Sequence, residues 1–321
     1  MDRTMQPPAV KSVVTLIACA PILTEIASGN TPARALLDPR IDLFLVLAYS
    51  LPVLVIRELA IRQRLGGFGL FLLGLAYGIW NEGLLAQTLL RFEHVPIDRF
   101  DHYIYAGGFN FSWAAVIVPW HALMAVAFPM TLVHGLFPPE ARAPWLGRRV
   151  FSALAAVLIA LIVVISVARR PHAQMLACLF SIGLLVTLAF LFRRSETREP
   201  KEDSHRAYPF GFGAAAYLIW IIGAILLAAH RVPAAVYFAA VCGSLALLAV
   251  LSARLGLTRL GAAARLALGA YFAAAGFNAA AGVATHSVAK CLTGLILAII
   301  FAVTCFAVLP RTGTAPETSA A

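Results

Sequence analysis

Ten long apolar runs, each bounded by helix breakers or charge, constrain this chain more than any other feature. A hydrocarbon core about 30 Å thick takes about 20 helical residues per crossing. The runs match that length: Ser12–Ser28, Ile41–Ala60, Phe68–Leu90, Phe111–Phe137, Val150–Ala168, Met175–Phe192, Tyr208–Ala229, Pro233–Leu251, Ala263–Val283 and Val288–Leu309. Between them stand Asn30-Thr31-Pro32, Leu65-Gly66-Gly67, Pro138-Pro139, Arg169-Arg170-Pro171 and Arg231-Val232-Pro233, which punctuate helices. The runs are too long, and too free of alternation, for the strands of a membrane barrel. The expected fold class is all-α: a polytopic transmembrane helical bundle of about ten spans.

Composition agrees, with 61% hydrophobic and 12% charged residues, where soluble domains carry about 25% charged. The net charge of +10 suggests nucleic acid only until its placement is read. Basic residues gather at the ends of the runs and form no stripe interleaved with stacking aromatics, so no nucleic-acid partner is expected. Membrane lipids are the expected surroundings. About two-thirds of the 25 Lys and Arg residues fall on the side of the even-numbered loops. The positive-inside rule then predicts cytoplasmic termini in a bacterial inner membrane. Cys19, Cys178, Cys242, Cys291 and Cys305 form no CxxC, and read as small hydrophobes rather than disulfides or metal ligands.

Met1–Lys11 followed by an apolar stretch has the outline of a signal peptide, and Leu16-Ile17-Ala18-Cys19 that of a lipobox. The apolar segment continues through Pro21-Ile22-Leu23, which favours an uncleaved anchor. The charged loop Arg193–Arg206 reads as a solvated hinge or a docking segment. The expected organisation is a four-helix part over 1–149 carrying the intramembrane polar residues, a six-helix apolar part over 150–310, and a disordered cytoplasmic tail over 311–321.

An ionisable side chain at mid-membrane costs on the order of 2.5–3.5 kcal/mol on insertion scales, so its presence asks for a partner or a task. Glu25, Arg57, Glu58, Glu82 and His121 all fall in the first four spans. Asn81 and Glu82 lie side by side in the third span, where Gly74, Gly78 and Glu82 recur every four residues and share one face. Such a small face admits a close neighbour helix. Two readings of Glu82 are open: a proton-binding, metal-binding or acid/base carboxylate, or a structural one bonded to Asn110 or a neighbouring helix. Asn110, Ile117 and His121 fall on nearly one face of the fourth span, placing His121 about 15 Å along it. Glu25 joins them as a candidate near the end of the first span. Glu58 and Arg62 stand four apart in the favourable orientation, so Arg57, Glu58 and Arg62 read as a structural ion pair. His134 reads as interfacial, and Tyr271 with Asn278 as a hydrogen-bonding wall.

The loop Arg91–Phe109 holds Glu93, His94, Asp98, Asp101 and His102, types that can bind a divalent cation, but their spacing fits no metal motif. No metal and no cofactor are expected.

Certain segments look familiar together: Pro21…Thr24-Glu25…Gly29, Ile56-Arg57-Glu58-Leu59, Ala76-Tyr77-Gly78-Ile79 with Glu82-Gly83-Leu84, and Asn110…Trp113…His121 with Phe137-Pro138. Over Pro21–Gly147 the chain resembles a group of uncharacterised bacterial multi-span proteins. Members of that group often carry two acids where this chain has Asn81-Glu82. The chain departs from the glutamate-dependent intramembrane proteases of the CAAX-processing type at three places. Asn81-Glu82 replaces their acid pair, Ala86 stands at the arginine position, and His121 follows Trp120 without Phe-x-x-x-His spacing. The leading expectation is binding and translocation of a small or lipid-like solute, proton-linked through Glu82 and His121. The alternatives are a membrane-embedded lipid- or peptide-modifying enzyme, and a structural or assembly protein.

Overall fold

A computed structural model describes residues 7–90, 103–168, 173–191, 207–230, 232–256 and 260–309. Among these, ten helices are long and apolar enough to cross a membrane: α1 (Ala9–Ile26), α2 (Pro39–Arg62), α3 (Gly67–Leu85), α4 (Phe111–Leu136), α5 (Arg148–Ala168), α6 (Ala173–Leu191), α7 (Tyr208–Ala229), α8 (Ala234–Arg254), α9 (Gly261–Ala284) and α10 (Val288–Val308). The all-α polytopic expectation holds. The loop candidates Glu93, His94, Asp98, Asp101 and His102 lie outside the described residues, as do the loop Arg193–Arg206 and the tail from Arg311.

Local chemistry sets the helix ends. Asp38 accepts from the Arg40 backbone at 2.9 Å and Pro39 opens α2 with its fixed φ. Asn110 caps α4 by accepting from the Trp113 backbone N–H at 2.9 Å. It ends a two-residue antiparallel hairpin, β1 (Tyr105–Ala106) with β2 (Phe109–Asn110). The third span was expected to run to Leu90, but α3 stops at Leu85. Gln87 takes a left-handed φ of 63°, and Leu89 donates its N–H back to the Glu82 carbonyl at 3.2 Å. The chain therefore doubles back beside Glu82, a turn that no breaker residue announces.

Half or more of each of α1–α4 and α9 is buried, against a third or less of α5, α6, α7, α8 and α10. The outer helices turn Ile159, Val164, Phe180, Ile219 and Ile299 outward, an arrangement stable only against hydrocarbon. α9 packs on α10, α7 and α4, so the inner layer draws on both sides of the long charged loop.

The small face of α3 meets α4 along its length. A Cβ built on Gly74 would stand 2.7 Å from Ala122 Cα, and one on Gly78 would stand 2.9 Å from the Val118 carbonyl oxygen. Contacts this close require glycine. Gly78→Val is expected to cost about 1–3 kcal/mol through forced separation of α3 and α4. Thermal unfolding in detergent checks this, and an unchanged midpoint would show that the helices have room to spare.

Candidate functional site

Four of the described π-helical turns fall in α1–α4, at Ile22–Ile26, Val46–Ser50, Trp80–Leu85 and His121–Ala127. Each carries a polar side chain of one cluster: Glu25, Tyr49, Glu82 with Asn81, and His121. A π turn adds a residue to the ring, re-aims side chains, and recurs at functional sites. Its displaced carbonyls need new donors. Tyr77 Oη donates to the Ala48 carbonyl at 2.9 Å, and Tyr271 Oη, from α9, donates to that of Met124.

Glu82 and His121 meet across the α3–α4 contact. His121 Nε2 lies 2.7 Å from Glu82 Oε1, with the residues only 2% and 8% exposed. The other oxygen of Glu82 accepts from the Thr88 hydroxyl, which the α3 turn has brought back. Thr88 in turn accepts from Trp113 Nε1 at 3.0 Å. The carboxyl group is thus held on both oxygens in a buried site. Three aromatic rings enclose the imidazole: Tyr49 stacked at 6.3 Å, with Tyr77 and Trp120 edge-on at 5.6 and 5.1 Å. His121 Nδ1 is buried and makes no hydrogen bond.

The remaining candidates take different places. Glu25 is half-buried and accepts from Thr31 Oγ1 at 2.6 Å and from Tyr49 Oη. Asn81 donates to Tyr77 Oη at 3.1 Å. Asn110 does not bond Glu82. It accepts from Ser112 Oγ at 2.8 Å and from the Trp113 backbone, so it orients the tryptophan that orients Thr88. Tyr271 and Asn278 are buried in α9; Asn278 sits against Gly29, whose φ of 79° only glycine adopts without strain.

Arg57, Glu58 and Arg62 form a second cluster, at the opposite end of α2. Arg57 Nη1 reaches Glu58 Oε1 at 2.6 Å and Arg62 Nη2 reaches Glu58 Oε2 at 3.0 Å. Glu58 Oε1 also accepts from the Trp145 backbone N–H at 2.7 Å. Arg57 donates to the Glu140 and Ala141 carbonyls, to His134 Nε2 at 3.3 Å, and covers the Trp145 ring. These bonds tie the segment after α4 to α2.

Sequence reasoning passed over Thr88 and Tyr49, and quoted Tyr77 and Trp113 only for the resemblance, not as site residues. The two tyrosines carried a signal, since a phenol in mid-span must find a partner. It also passed over Arg265, fully buried in α9, to which the cost argument for buried charge applies equally. Among the described residues, no three of His, Cys, Asp and Glu come together as metal ligands would.

No curated protein and no solved structure matches the chain. Residues 14–314 match the family model of an uncharacterized membrane protein family, and the chain belongs to that family.

Proposed function

We propose that this chain binds and translocates a small or lipid-like solute across a bacterial inner membrane, with both termini cytoplasmic and with translocation linked to protons at Glu82 and His121. The observation that carries the reading is the 2.7 Å contact between a carboxyl group and an imidazole, both buried. A carboxyl group and an imidazole in direct contact can pass a proton between them, and intramembrane acid and histidine residues mark proton relays.

The lipid-like part rests on an apolar groove of about 490 Å³ between α3, α4, α6 and α8, lined by Ile79, Leu89, Val118 and Leu245 among others. Ile79 and Val118 belong to the helices that carry Glu82 and His121. A second reading, a lipid- or peptide-modifying enzyme with Glu82 as general base and His121 as acid, draws on the direct contact of the two groups.

One experiment addresses both. Proteoliposomes under an imposed pH gradient receive a short-chain fluorescent phospholipid in one leaflet, and its movement is followed by quenching. The wild-type chain is expected to move the lipid intact, and Glu82→Gln to slow that movement about tenfold or more. Equal rates in Glu82→Gln overturn the proton-linked reading, and a covalently altered lipid on mass spectrometry selects the enzyme.

A further inference from the structure

The Glu82–His121 pair is sealed on the protein side, so a proton reaching it needs a route. Glu25 stands where the interior begins to meet the outside: half-buried, in the last turn of α1. One of its oxygens is held by Thr31 at 2.6 Å and the other accepts from Tyr49 Oη. The Tyr49 ring then lies over His121, 6.3 Å away and 28° from parallel. The titratable groups around Tyr49 are Glu25 from α1, Tyr77 and Glu82 from α3, and His121 from α4. His121 Nδ1 is the ring nitrogen that no protein group bonds.

We propose that Glu25 is the proton port of the Glu82–His121 pair, with Tyr49 as the relay and one water bridging Tyr49 Oη to His121 Nδ1. The proposal rests on the proton-linked reading of that pair. On release, the imidazolium gives its Nδ1 proton to the water, and the water passes one proton to Tyr49 Oη. Tyr49 passes its own hydroxyl proton to the Glu25 carboxylate, which loses it to the aqueous phase. Each oxygen gains one proton and gives up one. Uptake is the reverse, and no oxidant or reductant is involved. The hydrogen bond from Tyr49 to Glu25 is the starting geometry of the last transfer.

The test is infrared spectroscopy of the full chain in lipid nanodiscs, perfused between acid and alkaline buffer and then switched to heavy water. The carboxyl band of Glu82 is identified by its loss in Glu82→Gln, or by its shift in Glu82→Asp should the first variant misfold. Deuterium is expected to enter that group about tenfold more slowly in Tyr49→Phe and in Glu25→Gln than in the wild type. A Glu82 band that never responds to pH, or that exchanges equally fast in Tyr49→Phe, overturns the port. Slowed exchange beside lipid movement unaffected by Glu82→Gln would keep the port and discard transport, so the two failures are distinguishable.

Discussion

Glu58→Ala is expected to lower the stability of the folded chain by about 3–5 kcal/mol, the cost of breaking a buried ion pair from one side. Glu58 and Arg57 are both fully buried, and the carboxylate faces two guanidinium groups and the Trp145 amide at once. Its removal leaves Arg57 hydrogen-bonded only to neutral groups, two carbonyls and His134, over the Trp145 ring, with the Glu140 carboxylate as the remaining nearby opposite charge. Desolvation of that guanidinium then loses its directly bonded counter-charge. Trp145 loses the acceptor that anchors its backbone, and with it the turn that places Arg57 against the Glu140 carbonyl. Ser12, which donates to the Glu140 carboxylate from α1, loses its register on the same segment. Replacing both charges, Arg57→Met with Glu58→Leu, is expected to cost less than Glu58→Ala alone, because the fully buried guanidinium goes with its carboxylate and only the partly exposed Arg62 loses its partner. Thermal unfolding in detergent, read on tryptophan fluorescence, measures all three chains. An unfolding midpoint for Glu58→Ala equal to the wild type would show that the cluster contributes nothing to the fold.

The spans were legible because hydrocarbon imposes one length and one composition on every crossing helix. Tyr208–Ala229 was read at its observed bounds, and most other ends fall within three residues of their expected positions. The failure at Leu90 is informative. Leu84 to Leu90 is apolar enough to continue a helix, and only the bond from Leu89 to the Glu82 carbonyl and the tertiary pull of Thr88 end it. Glu82 and His121 could be singled out by the energetic cost of their depth, and Gly74 and Gly78 by their spacing. The π turns could not be. A shift from i+4 to i+5 bonding has no local sequence signature, and here it depends on donors supplied from elsewhere, as Tyr77 supplies one to Ala48 and Tyr271 to Met124. Asn110 shows the opposite error. An asparagine directly before an apolar run is a helix cap by its chemistry, and that local reading explains it without any bond to Glu82.

His121→Leu is expected to destabilise the chain by about 3–5 kcal/mol, whereas His121→Leu combined with Glu82→Leu is expected to come back close to the wild type or above it. The single change leaves a buried carboxyl group whose remaining partner is the Thr88 hydroxyl. The double change removes both polar groups from a site already walled by Tyr49, Tyr77 and Trp120, where leucine side chains bury well. Thr88 still accepts from Trp113 Nε1, so the tryptophan keeps its bond. Contacting residues of this kind couple by about 0.5–3 kcal/mol in a double-mutant cycle, and the sign of the total separates two accounts of the pair. If the doubly apolar chain folds as well as the wild type yet fails to move lipid or to exchange protons, the acid and the imidazole are kept for what they do and not for stability. A double variant less stable than either single one would make the pair a pin between α3 and α4, and would remove the ground for assigning it any proton chemistry.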